Sequence, residues 1–122
     1  MIQPPRLLLT SGEPAGVGPE LIIQLAQQGL SVPWAVIADP EHLQQLAQHL
    51  QRPIRIHTVS IEGAWPDTPA RTINVIPLCL NTAAQAGVLN IENAAFVKTM
   101  LDMASQAALN QTVDAIVTAP VH

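Results

Sequence analysis

The sequence predicts an α/β protein built on a mostly parallel sheet with helices on both faces. Three observations predict it. Short apolar runs that do not alternate, such as Leu7-Leu-Leu9 and Trp34-Ala-Val-Ile-Ala38, read as strands covered on both faces. The first two runs are each followed by a proline and a glutamate, Pro19-Glu20 and Pro40-Glu41, the residues that open helices. Strand-like and helix-like stretches then take turns along the chain, as parallel strands joined by crossover helices require.

The first strand is expected over residues 7–10, followed by the loop Ser11-Gly-Glu-Pro-Ala-Gly-Val-Gly18. A helix over 19–28 follows, with Leu21, Ile22, Leu25 and Ala26 as its apolar stripe and Gly29 as its stop. Gly18 takes the N-cap-like position. The second unit has its strand over 34–38, Asp39 as N-cap and a helix over 40–50. Leu43, Leu46, Ala47 and Leu50 share one face of that helix, which leaves His42 and His49 to a solvated surface. Residues 54–59 alternate and should form a strand with one exposed face, His57 being on its polar side. The stretch 60–71, with Gly63, Pro66 and Pro69, reads as an irregular connection.

A further strand is expected over 72–78, with Pro77 placing it at an edge or near its own end. Residues 81–87 are loop. A long helix over 91–109, capped by Asn90, should bury Ala94, Val97, Leu101, Ala104 and Ala108. The strands over 7–10, 34–38 and 115–118 are expected to be the most buried. The chain stops four residues beyond the last of these, where a parallel strand normally hands over to a functional loop. It therefore reads as residues 1–122 of a larger protein, truncated after the strand ending near Thr118.

Composition narrows the function. The chain has 122 residues, 48% of them apolar, but Trp34, Trp65 and Phe96 are its whole aromatic set, so the core is aliphatic. A formal charge of -4 argues against nucleic-acid and anionic-membrane partners, which call for a basic face. The single cysteine, Cys79, forms no internal disulfide and reads as a small buried hydrophobe in a reducing cytoplasm. The amino terminus lacks the basic and long apolar regions of a signal peptide.

The most distinctive stretch is Gly12-Glu-Pro-Ala-Gly-Val-Gly-Pro-Glu20. Its G-x-x-x-G-x-G spacing is neither the dinucleotide fingerprint G-x-G-x-x-G nor a P-loop. It still places free backbone N–H groups at a helix N-terminus, where an anion can sit, although Glu13 would repel one unless it faces a donor or cation. Read on physics alone, it is either such a site or a tight strand-to-helix turn. No pair of histidines has metal-site spacing; His42 and His49 lie seven apart.

Thr10-Ser-Gly-Glu-Pro-Ala-Gly-Val-Gly-Pro-Glu20 resembles the opening of the 4-hydroxythreonine-4-phosphate dehydrogenases nearly residue for residue. Ala115-Ile-Val-Thr-Ala-Pro-Val-His122 resembles a second signature of that family, whose next residue is usually lysine. Residues 87–93 loosely resemble the loop into its long helix. The resemblance implies a fold like that of isocitrate and isopropylmalate dehydrogenases. It implies a cytoplasmic homodimer that oxidises the phosphorylated amino acid 4-phosphohydroxy-L-threonine with NAD or NADP, with decarboxylation, in pyridoxine 5'-phosphate biosynthesis. A divalent metal (zinc, magnesium or cobalt) would assist, on histidines downstream of His122. No catalytic or metal-binding residue then falls within this chain, and the piece alone should be inert. Gly12, Glu13, Gly16, Gly18 and His122 are left as candidates for lining the substrate and cofactor cleft. The alternatives are a free-standing α/β module that binds a phosphate-bearing ligand through Gly12–Gly18, or an acyltransferase-like relative of the same broad fold.

Overall fold

A computed structural model describes residues 5–80 and 93–119. Eight elements follow one another: β1 (Leu7–Thr10), α1 (Gly18–Gln28), β2 (Trp34–Ala38), α2 (Pro40–His49), β3 (Arg55–Thr58), β4 (Thr72–Pro77), α3 (Ala94–Leu109) and β5 (Ala115–Thr118). Among the described residues the strands form one sheet, in the order β3-β4-β2-β1-β5. Every neighbouring pair is parallel, so all carboxyl ends share one rim.

Helices cover both faces, as the sequence predicts. Strand alternation sorts β2 between the two layers. Trp34, Val36 and Ala38 pack with Leu9, Ile22, Ile23, Leu43 and Val75 beneath α1 and α2. Ala35 and Ile37 pack with Leu8, Ile76, Phe96 and Met100 beneath α3. Each fully buried Leu or Ile stabilises the fold by about 1.5–3 kcal/mol relative to exposure. This aliphatic two-layer core is what fixes the position of the rim.

Capping follows the sequence closely. Asp39 is the N-cap of α2, its Oδ1 accepting from the N–H groups of Glu41 (2.9 Å) and His42 (3.2 Å). Gly29 ends α1 with a φ of 77° and an N–H bond to the Leu25 carbonyl, a backbone region that glycine enters without steric cost. The cap of α1 is Val17 rather than Gly18, and among the described residues no side chain bonds the first N–H groups of that helix. The proposed Asn90 cap and the loop over 81–87 lie outside the described residues.

Four expectations are corrected. β5 is an edge strand and not among the most buried: Ala115, Val117 and Thr118 are exposed and Ile116 half-buried. An apolar run reports two apolar faces, not the strand's place in the sheet order. Pro77 ends its strand, one of the two placements expected, and β4 lies inside the sheet, buried over residues 72–76. In α1, Ile23 is buried while Leu21 is 50% exposed, a rotation of one residue. In α3, Phe96, Met100, Ala104 and Ala107 face the core, whereas Ala94 and Ala108 are exposed. Lys98, Thr99, Asp102, Ser105 and Gln106 form its exposed polar side, and the side opposite to it is the buried one. Cys79, expected buried, is exposed.

The 59–71 connection is tied to the opposite end of the sheet by Arg6. Its guanidinium donates to the carbonyls of Ile61 and Gly63, both at 2.9 Å, and lies 3.9 Å from the centre of the Trp65 ring. Burial holds the Arg6 pKa below its ordinary value, while Asp114 and Glu62 act in the opposite direction. Arg6→Met is expected to cost roughly 1–2 kcal/mol by urea denaturation, from two lost charge-assisted bonds and the cation–π contact. Trp65 emission should shift to the red, with Trp34, wholly buried, unchanged. An unaltered emission spectrum would show that the clamp does not order Trp65.

Candidate functional site

The rim at the carboxyl ends of the strands is assembled by β1 and β5, which run side by side with Thr10 opposite Thr118. The Ala119 N–H continues the ladder to the Thr10 carbonyl at 3.2 Å. The two stretches singled out in the sequence therefore emerge next to one another. Parallel sheets bind ligands at this edge because loops there converge over strand ends without being tied into the ladder.

Gly18 is the wedge that permits it. An ideal Cβ at Gly18 would lie 1.9 Å from the Ser11 carbonyl oxygen and 2.8 Å from the Ala119 Cβ. The start of α1 thus sits directly against both strand exits. Gly12 needs its glycine for a different reason, a φ of 73°. Gly16 is the least constrained: its ideal Cβ would be 3.3 Å from the Glu13 carbonyl oxygen, which accepts the Gly16 N–H at 2.9 Å. Glu13 therefore orders the loop through its main chain, and its carboxylate takes no hydrogen bond among the described residues. His122 lies outside the described residues.

Two hydroxyls stand at the end of β1. Ser11 Oγ donates to the Ile37 carbonyl at 3.0 Å and lies 3.8 Å from Met100 Sδ, joining β1, β2 and α3. Thr10 is 1% exposed and its Oγ1 has no hydrogen-bond partner among the described residues. Asp39 closes the neighbouring part of the rim, its Oδ2 accepting from the Leu80 N–H at 2.8 Å. Both of its oxygens are thereby committed to backbone.

His42 was assigned to the solvated surface by sequence reasoning, and the structure places it elsewhere. It is half-buried, and Nε2 lies 3.2 Å from the Pro14 carbonyl oxygen. A carbonyl only accepts, so this bond fixes Nε2 as the protonated nitrogen. His42 and His49 line one pocket with Pro14, Gly16, Glu20, Gln45 and Leu46. A signal for His42 was present: Asp39-Pro40 starts α2 at the same rim as the glycine loop, so a first-turn side chain can reach it. Among the described residues no group of three histidine, cysteine, aspartate or glutamate side chains can hold a metal ion. These residues do not fit a metal.

Comparison with known proteins agrees with this geometry. Residues 31–122 match the family model described as pyridoxal phosphate biosynthetic protein PdxA. The chain is 38% identical over 122 residues to a 4-hydroxythreonine-4-phosphate dehydrogenase of Saccharophagus degradans, covering all of this chain and 36% of that one. The crystal structure of a 4-hydroxythreonine-4-phosphate dehydrogenase from Klebsiella pneumoniae superposes with a TM-score of 0.82 at 29% identity, over 97% of this chain and 38% of the other. One from Burkholderia phymatum gives 0.85 at 24% identity, over 99% and 38%, a likeness of fold. The sheet and its two helical layers are thus those of the isocitrate dehydrogenase-like fold. The chain spans a little over a third of the length of these relatives. With its family model matched over residues 31–122 and its parallel sheet shared with these dehydrogenases, the chain belongs to the PdxA family of pyridoxal phosphate biosynthesis.

Proposed function

We propose that this chain supplies one wall of the active-site cleft in an NAD(P)-dependent dehydrogenase acting on 4-phosphohydroxy-L-threonine, with decarboxylation. The observation that carries the reading is the wedge at Gly18, which holds the glycine loop and the end of β5 against each other at one rim. Gly12, Glu13, Gly16 and Gly18, with His122 just beyond the described end, are the proposed lining. The first N–H groups of α1, uncapped by any side chain among the described residues, would orient an anionic group of substrate or cofactor. A nicotinamide cofactor would accept the hydride. Asp39, in the place where dinucleotide-binding sheets of another kind hold a ribose, keeps both oxygens on backbone and takes no part.

A divalent metal would be held entirely by residues outside this chain, and the working protein would be a cytoplasmic homodimer. Full-length protein should reduce NAD or NADP in the presence of 4-phosphohydroxy-L-threonine and a divalent metal. The 122-residue chain alone should not. Failure of the full-length protein would overturn the activity; metal-dependent reduction by the isolated chain would overturn the division of the site.

A further inference from the structure

At the opposite rim, where β3 and β4 begin, a cavity of about 400 Å³ is lined by Pro53, Ile54, Arg55, Pro69, Ala70, Arg71 and Thr72. Arg55 and Arg71 are backbone neighbours there, the Arg55 N–H bonding the Arg71 carbonyl. The chain has only five lysines and arginines against nine acids, yet Arg52, Arg55 and Arg71 fall in this lining or one residue from it. None of the three guanidinium groups has an ion pair or hydrogen bond among the described residues. They do not serve as caps for the nearby carboxyl ends of α1 and α2, because no donor of theirs reaches a terminal carbonyl. It is the Arg71 main-chain N–H that bonds the Ala26 carbonyl.

Arg71 is also held in a costly conformation. The Thr72 N–H closes a turn onto the Pro69 carbonyl at 3.1 Å, with Arg71 in its third position at a φ of 70°. Ala70 has no positive φ, so this is a type II turn, whose third position belongs to glycine or asparagine. A long cationic side chain stands where the backbone disfavours it, and strain of this kind gathers at ligand sites. The remaining walls, Pro53, Ile54, Pro69 and Ala70, are apolar.

We propose that this cavity is a second binding site, separate from the cleft, for a small organic phosphate monoester. The guanidinium groups of these two backbone neighbours would grip the dianionic phosphate, whose three terminal oxygens suit their forked donors. The apolar walls would take the organic part. The site does not depend on the proposed dehydrogenase activity.

The test is calorimetric titration of the full chain with phenyl phosphate, and in parallel with inorganic phosphate. Saturable binding of phenyl phosphate is expected, about tenfold or more tighter than inorganic phosphate, the gain from covering an apolar ring. Arg71→Gly should weaken it by about tenfold or more while leaving the melting temperature unchanged or higher, because glycine relieves the strained turn. Arg55→Gln should weaken it similarly, and Lys98→Gln, in an exposed pair with Asp102, should not. Absence of saturable binding to the unaltered chain would overturn the site. Undiminished binding by folded Arg71→Gly and Arg55→Gln variants would overturn it as well. Equal affinity for both probes would overturn the assignment to an ester.

Discussion

Gly18→Ala is expected to cost roughly 3 kcal/mol, the upper end of what overpacking usually costs, and Gly18→Val to leave little folded protein. The new Cβ would collide at 1.9 Å with a backbone carbonyl at Ser11, which cannot rotate away as a side-chain tip could. Relief requires α1 to move back from β1, and α1 carries Ile22, Ile23 and Ala26 into the core. Gly16→Ala, with a nearest contact of 3.3 Å, is the control and should cost below about 1 kcal/mol. Chemical denaturation of the chain checks both values. In full-length protein the Michaelis constants of the folded fraction add a second reading. A Gly18→Ala variant that loses stability but keeps its Michaelis constants would make the wedge purely structural. A Gly18→Ala variant as stable as Gly16→Ala would show that the close approach is absent in solution.

Asp39→Ala should cost about 2–3 kcal/mol. One carboxylate accepts three backbone N–H groups: Glu41 and His42 in the first turn of α2, and Leu80 after β4. Loss of an N-cap alone costs about 1 kcal/mol, up to about 2. The Leu80 N–H, part-buried, then loses its acceptor as well. Asp39→Asn retains one acceptor oxygen but turns an amide donor toward the remaining N–H, so an intermediate loss is expected. Urea titration of the three proteins orders them. Equal stability of Asp39→Asn and the unaltered chain would mean that the bond to Leu80 contributes nothing.

Much of the fold was legible because its boundaries are written in chemically unambiguous residues. Asp39-Pro40-Glu41 can hardly be read except as a helix start, and Gly29 with its φ of 77° is where α1 ends. What was not legible is rotational or positional. Alanines are spread around α3, so a stripe counted on them misled, whereas the polar side formed by Lys98, Asp102, Ser105 and Gln106 puts Phe96 and Met100 on the opposite, buried face. The run Ala115–Thr118 shows two apolar sides whether or not anything covers them, and Val117 is 52% exposed. At the rim, the importance of Gly18 was readable from the motif, but the partner it approaches, Ala119, lies about a hundred residues along the chain. His42 was missed for a related reason. Helical periodicity ranks side chains around one axis and says nothing about a loop arriving from another unit.

The pairing of β1 with β5 also bears on how the chain comes into being. Leu7 meets Ala115 across 108 residues, whereas its other neighbour in the sheet, Trp34, follows directly after α1. During synthesis at about 5–20 residues per second, β1 waits roughly 5–20 s for its second partner. Closing so long a loop is slow compared with local helix formation. Over that interval β1, α1 and β2 can assemble while one flank of β1 stays open to any other extended strand. Of the five described strands, the one made last is thus the one that seals the first.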